Sequence, residues 1–345
     1  MTRQCPIPIA DYPVITPAHG GGGVIMRRLI RDMFTEAFGP STLQSQSDSA
    51  LLEIDKNTIA FTTDAFVVKP IFFPGGDIGS LAVNGTVNDL AMSGAVPKYL
   101  SCAMILEEGL PMESLWNIVL SIKDAADKAG VGIVTGDTKV VDKGKGDGIF
   151  ITTSGVGVFE KEVNISPSNI QPGDVVIVNG DIARHGMAIL AAREELALES
   201  PIESDCAPLN HAVKALLDAG IEIHAMRDAT RGGIASSIIE MSEDSKRNIT
   251  LDEKSISVRE DVRGACELLG IDPLYVANEG RFVCILPEQQ ASKTLQILQS
   301  HFTDTQPAVI GHVGDETKGC VALNSIIGAK RPLDLLSGEQ LPRIC

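Results

Sequence analysis

Apolar residues recur at helical spacing over 24–38 (VIMRRLIRDMFTEAF), at positions 25, 29, 30, 33, 34 and 37, and Gly39-Pro40 ends the pattern. The Ser- and Gln-rich stretch 41–50 is expected to be a connecting loop, and NTIAFTTD (57–64) a strand. The run 77–93 (DIGSLAVNGTVNDLAMS) is patterned as a helix despite two internal glycines, each costing about 1 kcal/mol relative to alanine. Close packing, or close approach of a ligand, would account for them. KYLSCAMIL (98–106) is a strand candidate. Residues 111–130 predict a helix, with Pro111 and Glu113 in its first turn and Gly130 after its end. VGIVTGD (131–137) reads as a buried strand ending in a polar turn, DKGKGDG (142–148) as a loop, and IFITTSGVGVF (149–159) as a strand.

Pro, Ser, Asn and Gly gather at 160–173 and mark a boundary. Beyond it DVVIVNG (174–180) opens a second unit, with helical patterns at 185–197, 207–219, 231–243, 259–269 and 288–300. Strand patterns fall at 222–227, 273–277, 281–286, 307–313 and 320–325. LLSGEQLPRIC (335–345) is short and polar, and is expected to be a flexible tail. Strands and helices mix without strict alternation, which predicts α+β domains rather than a doubly wound parallel sheet. The expected division is an N-terminal segment (1–50), a first domain (51–160), a second domain (170–334) and the tail (335–345).

Composition narrows the function. A chain of 345 residues with a net charge of −16 repels polyanions, so neither nucleic acid nor an anionic membrane is expected as a partner. No leader and no membrane-length apolar run is visible, and a cytoplasmic location is expected. Seven cysteines lie scattered, none at CxxC spacing, which argues against a disulfide framework or a Cys-rich zinc site. Cys102 and Cys284 sit in apolar runs, as buried thiols do; Cys345, the last residue of the sequence, does not.

An acidic protein that binds a nucleotide needs local devices, and several candidates are present. His19 precedes Gly20, Gly21, Gly22 and Gly23 directly before a helix, where exposed backbone N–H groups favour an anion; a flexible loop is the plainer alternative. Asp64, Asp77, Asn88-Asp89 and Asp137 fall at or near element ends, as Mg²⁺–ATP ligands do and as ordinary caps do. In Gly136-Asp137-Thr138-Lys139 the lysine suits a phosphate or a solvated turn. RDATRGG (227–233) offers Arg227 and Arg231 to a second anion. Glu279, in Ala277-Asn278-Glu279-Gly280 between two predicted strands, suits a base or a hairpin turn. Cys345 ends a segment whose last seven residues can reach over ~20 Å.

HGGGG, TTDAFVV, PGGDIGSLAVNGTVNDLAMSGAVPKYLS, ILEEG, TGDTKVV, RDATRGG, DPLYVANEG and GEQLPRIC, in this order, resemble the HypE family of hydrogenase maturation proteins from about residue 16 to residue 345. That family lies in the AIR synthetase (PurM-like) superfamily. The resemblance implies a two-domain fold whose N-terminal domain forms a β-barrel across a homodimer, beside a C-terminal α/β-sandwich domain. It implies a carbamoyl dehydratase: a carbamoyltransferase (HypF) loads Cys345, ATP drives conversion of the carbamoyl group to a thiocyanate, and a HypC–HypD complex accepts the cyanide for the iron of [NiFe]-hydrogenase. It places Asp64, Asp89 and Asp137 on Mg²⁺. ATP falls to Gly20, Gly21, Gly22, Asn88, Gly136 and Thr138, with Asp77 assisting. Lys139 meets phosphate, Arg227 and Arg231 hold phosphate or the tail, and Glu279 acts as base, with His19 as a further catalytic candidate. Ala65 stands where the family commonly has Ser, and Ala229 where it has Pro, which bears on loop geometry. The rival readings are a small-molecule kinase or selenophosphate synthetase of the same superfamily, indifferent to Cys345, and a carrier that never uses ATP.

Overall fold

The computed structural model describes residues 14–21, 23–34, 48–54, 57–194 and 201–336. Cys5, Gly22, the predicted helix end at 35–38 and the tail from 337 to Cys345 lie outside the described residues.

The predicted first helix divides into α1 (Val24–Leu29) and a π-helical turn, Ile30–Phe34. Next come β1 (Ala50–Ile54) and β2 (Asn57–Phe66), then the two-residue strands β3 (Phe72–Phe73) and β4 (Gly76–Asp77), which pair and lead into α2 (Ile78–Met92). β5 (Val96–Glu107), α3 (Met112–Ala129), β6 (Gly132–Val141) and β7 (Ile149–Val158) complete the first domain. Its sheet runs β1-β2-β7-β5-β6, antiparallel except for the parallel pair β5–β6. Alternation sets one face inward: Ala60, Thr62 and Phe66 of β2 and Ile149, Ile151 and Thr153 of β7 are buried under the helices. Both glycines of α2 are explained by packing. A Cβ on Gly85 would lie 2.9 Å from the Phe66 ring, and one on Gly79 2.6 Å from the Ile118 carbonyl oxygen.

The second domain contains β8 (Asp174–Val178), α4 (Arg184–Arg193), α5 (Asn210–Asp218), β9 (Ala225–Asp228), α6 (Gly233–Ser245) and β10 (Ile249–Asp252). It continues through α7 (Glu260–Leu269), β11 (Phe282–Pro287), α8 (Ala291–His301), β12 (Ala308–Val313), β13 (Val321–Asn324) and β14 (Lys330–Leu333). The sheet order is β14-β13-β10-β12-β8-β11-β9. Its central strands, β8 and β11, are covered on both faces, which is why Val175–Val178 and Phe282–Leu286 are unbroken apolar runs. One of the two cores also takes in Ala91 and Met92 of α2, so the end of that helix is shared between domains.

The strand expected at 273–277 is instead a 3-10 turn, Pro273–Tyr275. Asp272 accepts from the Leu274 N–H at 3.0 Å, and Pro273 starts the turn. Glu279 therefore follows a capped turn and does not lie between two strands. The strands β1, β10 and β14 fall where no strand pattern was visible.

Candidate active site

The segment Val276–Gly280 of the second domain faces the first domain and is held from several sides. Asn278 is fully buried; its Oδ1 accepts from the Ala183 N–H at 2.7 Å, and its Nδ2 donates to the carbonyls of Ala229 and Val276, both at 3.0 Å. Asp205 accepts from the N–H groups of His185, Glu279 and Gly280. Asn179 Nδ2 donates to the Gly280 carbonyl while its Oδ1 accepts from the Phe282 N–H. From the other domain, Asn88 Nδ2 donates to the carbonyls of Ala207 and Glu279, at 3.1 and 3.3 Å, and its Oδ1 accepts from the Leu209 N–H at 2.8 Å.

These clamps fix Glu279, which is 3% exposed and whose Oε1 finds no hydrogen-bond partner among the described residues. Burial first, and then the charges of Asp228, Asp64 and Asp205, push its carboxyl well above the usual carboxylate range; Arg231 opposes the shift. A carboxylate so placed is a stronger base than an exposed one.

Further acids surround it. Asp89 Oδ2 accepts from Thr62 Oγ1 at 2.8 Å, and its carboxyl is raised by burial and by Asp228, Asp48 and Asp64. Asp228 is buried with Oδ2 unpartnered among the described residues, and burial together with Asp48 pushes it up to about 8. Asp64 lies on the inward face of β2, 3.9 Å from where a Cβ on Gly85 would stand. No three described His, Cys, Asp or Glu groups are gathered to hold a metal ready-made. The cluster nonetheless suits a divalent ion arriving with a nucleotide, because Mg²⁺ takes one or two carboxylates and completes its shell with phosphate oxygens and water.

The other candidates separate into distinct roles. Asp77 caps α2, its Oδ1 accepting from the Gly79 and Ser80 N–H groups at 2.6 and 3.1 Å. Arg227, expected to hold phosphate, is committed to two carboxylates, Asp48 at 3.1 Å and Glu240 at 2.5 Å; it ties the start of the first domain to α6. Arg231 Nη1 donates to the Gly20 carbonyl at 3.4 Å, which brings the glycine-rich loop beside RDATRGG. His19 Nδ1 lies 3.1 Å from the Thr16 N and 2.9 Å from its Oγ1, closing the turn before the glycines. The last described residue, Leu336, accepts from the Val24 N–H at 3.1 Å, and a Cβ on Gly23 would lie 2.5 Å from that carbonyl oxygen. The described chain thus ends against the glycine-rich loop.

Asp137 does not join the cluster. Pairing across the sheet aligns Asp64 with Thr153, Cys102 and Gly136, whereas Asp137 aligns with Ala103, Thr152 and Ala65 on the opposite face. Its carboxylate is exposed, lies 2.7 Å from Lys139 Nζ and is held below the usual range by that lysine and the Thr138 N–H. Gly136, Thr138 and Lys139 are likewise exposed. The strand read as buried is an open edge, with Val134 and Val140 more than 60% exposed. A groove of about 880 Å³ runs between it and α3, lined by Cys102, Ile122, Ala126, Val134 and Thr138 among others.

Asp48, Asp205 and Asp228 were not singled out from the sequence. Asp228 stood inside a quoted motif between two arginines, and that context was the available signal.

The AIR synthase related protein N-terminal domain model matches residues 46–159 and the corresponding C-terminal domain model matches residues 171–324. Carbamoyl dehydratase HypE of Azotobacter vinelandii is 47% identical over 327 residues, 95% of this chain and 96% of that one. A structure of a HypE–HypF complex superposes with a TM-score of 0.84 at 47% identity, covering 89% of this chain and 99% of that chain. A structure of hydrogenase maturation protein HypE in complex with ATP superposes with a TM-score of 0.80 at 43% identity, covering 96% of this chain and 100% of that one.

Proposed function

Since the chain belongs to the HypE family of carbamoyl dehydratases, within the AIR synthase related proteins, we propose that it uses ATP to dehydrate a carbamoyl group on its own Cys345 to a thiocyanate, supplying cyanide for the iron of [NiFe]-hydrogenase. The observation that carries this reading is Glu279: a buried carboxyl with an unpartnered oxygen, on a loop clamped from both domains and within the field of Asp228, Asp64 and Asp205.

The chemistry requires such a group. The carbamoyl oxygen of S–C(=O)NH₂ is a poor leaving group. Transfer of the γ-phosphoryl group of ATP to it, with one N–H proton released to solvent, makes it a good one. Glu279 then takes the remaining N–H proton, the C–O bond breaks, and the nitrile forms as phosphate departs. The sum is carbamoyl plus ATP to thiocyanate, ADP and phosphate. The clamped loop supplies fixed geometry rather than reorganisation at the moment of reaction.

Asp64 and Asp89 are the residues that would hold Mg²⁺, which supplies charge neutralisation at the phosphates. The open edge of β6, with Val134 and Val140 exposed on it, supports a homodimer in which a second chain covers this strand. Asp137, Gly136, Thr138 and Lys139 are assigned to the nucleotide in that covered state. Gly20, Gly21 and Arg231 serve phosphate or the tail, and His19 shapes the loop. The carbamoyl donor is a HypF carbamoyltransferase, in keeping with the complex formed by a relative, and a HypC–HypD complex is the acceptor. No helix among the described residues is long and apolar enough to cross a membrane, in keeping with a cytoplasmic location.

The test is the intact mass of the chain after incubation with its carbamoyl-donor system, with and without Mg²⁺–ATP. The expected result is an adduct absent from Cys345→Ala that loses the mass of one water only with ATP. An adduct that never loses water would make the chain a carrier. No adduct, with ATP turnover on a free metabolite, would make it a kinase of the same fold.

A further inference from the structure

We propose that Asn84 is a positioning residue for this reaction: its side-chain oxygen accepts the carbamoyl N–H that Glu279 does not take. The inference rests on the reading of Glu279 as base and deepens it. Asn84 lies one turn before Asn88 on α2 and is 4% exposed. Its Nδ2 donates to Cys206 Sγ at 3.4 Å, and its Oδ1 has no hydrogen-bond partner among the described residues. A buried acceptor left unpaired costs stability that an apolar residue at this position would not. The same Cys206 lies within the field of Glu279, whose charge, after burial, pushes the thiol up. Geometry brings the two acceptors to one place: Ala207, the residue after Cys206, donates its N–H to the Glu279 carbonyl at 3.4 Å, and Asn88, one turn after Asn84, donates to the same carbonyl at 3.3 Å, so Asn84 Oδ1 and Glu279 Oε1 are both left unpartnered at this part of the domain junction.

The substrate has the matching need. A carbamoyl nitrogen carries two N–H donors, and both must be held while its oxygen meets the γ-phosphoryl group: the one on Asn84 is released as that oxygen is phosphorylated, and the one facing Glu279 leaves at elimination. Asp228 and Asn210 also keep one unpartnered oxygen, but the side chains that clamp the 276–280 loop are occupied. Asn88, Asn278 and Asn179 use both ends of their amides on the backbone, and Asp205 uses both oxygens on N–H groups. Asn84 is the amide in this set with an acceptor left over. A second acceptor also selects: a thioester without the NH₂ group would leave both oxygens unpaired, whereas the carbamoyl group satisfies both.

The test uses the full chain as Asn84→Leu, which keeps the shape without the acceptor, and Asn84→Thr, which keeps an oxygen. Each variant is carbamoylated by the donor system and followed through a single turnover by intact mass. KM for ATP and the melting midpoint are measured beside it. The expected result for Asn84→Leu is normal carbamoylation, a melting midpoint no lower than the parent's, an unchanged KM for ATP, and dehydration slowed ~10- to 100-fold. Asn84→Thr should recover part of that rate. Parental dehydration in Asn84→Leu would overturn the assignment, as would a slowing matched by a loss of stability or a rise in KM that Asn84→Thr shares in full. If Glu279→Gln blocks dehydration and Asn84→Leu does not, only this inference fails. If Glu279→Gln dehydrates normally, the reading beneath it fails first.

Discussion

The loop at 276–280 and the edge strand β6 each carry an acid beside a glycine, and the fold treats the two in opposite ways. Glu279 is buried, its backbone held by Asp205 and Asn88 and its Oε1 left unpartnered among the described residues. Asp137 stands in solvent, 2.7 Å from Lys139, on a strand whose outer neighbours are exposed valines. The first setting raises a carboxyl and the second lowers one. The contrast separates a carboxyl that one chain buries by itself from an edge strand left open. On the proposed function the base belongs to the first setting and the nucleotide contacts at β6 to the second.

Mutations in the two regions should therefore be felt in different measurements, beginning with the largest effect. Arg227→Ala leaves Asp48 and Glu240, both largely buried, without their cation, and should cost up to about 3 kcal/mol in chemical denaturation. Asn88→Leu removes three hydrogen bonds that cross the domain junction. About 2 kcal/mol should be lost with it, and dehydration should fall further than stability explains.

Smaller, and opposite in sign, is the effect of the raised acids. A carboxyl that binds its proton more tightly when folded loses stability as pH rises through the interval between its unfolded and folded values. For Asp228 that interval runs from ~3.9 to about 8. Asp228→Asn should melt with the parent at pH 4 and above it at pH 8, and Glu279→Gln should shift in the same direction. Melting curves that stay superimposed at both pH values would remove the electrostatic part of the account. Least of all, Lys139→Ala and Asp137→Asn should leave the melting midpoint of the isolated chain in place, since their ion pair is exposed. They should still weaken ATP binding in an equilibrium titration. A large loss of stability there would show that β6 is already a structural part of the single chain.

Much of this was legible beforehand, for physical reasons. The elements between 57 and 159 announce themselves because one face of the sheet is wet, so alternation survives in β2 and β7. Helix α2 was readable although it is buried nearly all round, and Phe66 and Ile118 account for its glycines. Legibility failed where cues are short. β10 and β14 have four residues each, and the apolar 273–277 reads as a strand until Asp272 and Pro273 are recognised as a cap. In the site, Glu279 and Asp89 stood out in the sequence beside plainer readings as turn and cap, and the resemblance gave them roles. Asp205 and Asp48 look like ordinary loop acids because Gly280 and Arg227, which they hold, lie 75 and 179 residues away. Asn84, inside an apolar helix, gave no sign that one end of its amide would be left over. The orientation of Asp137 depends on a register that pattern alone does not specify.

The central claim is that Glu279 removes the proton that completes the dehydration. It is tested most directly by loading Glu279→Gln with the carbamoyl group, adding Mg²⁺–ATP, and following intact mass through a single turnover beside the parent chain. The account predicts that the carbamoyl adduct persists in the variant, with dehydration slowed at least ~100-fold, while carbamoylation and ATP binding are retained. Loss of one water at the parental rate would contradict it.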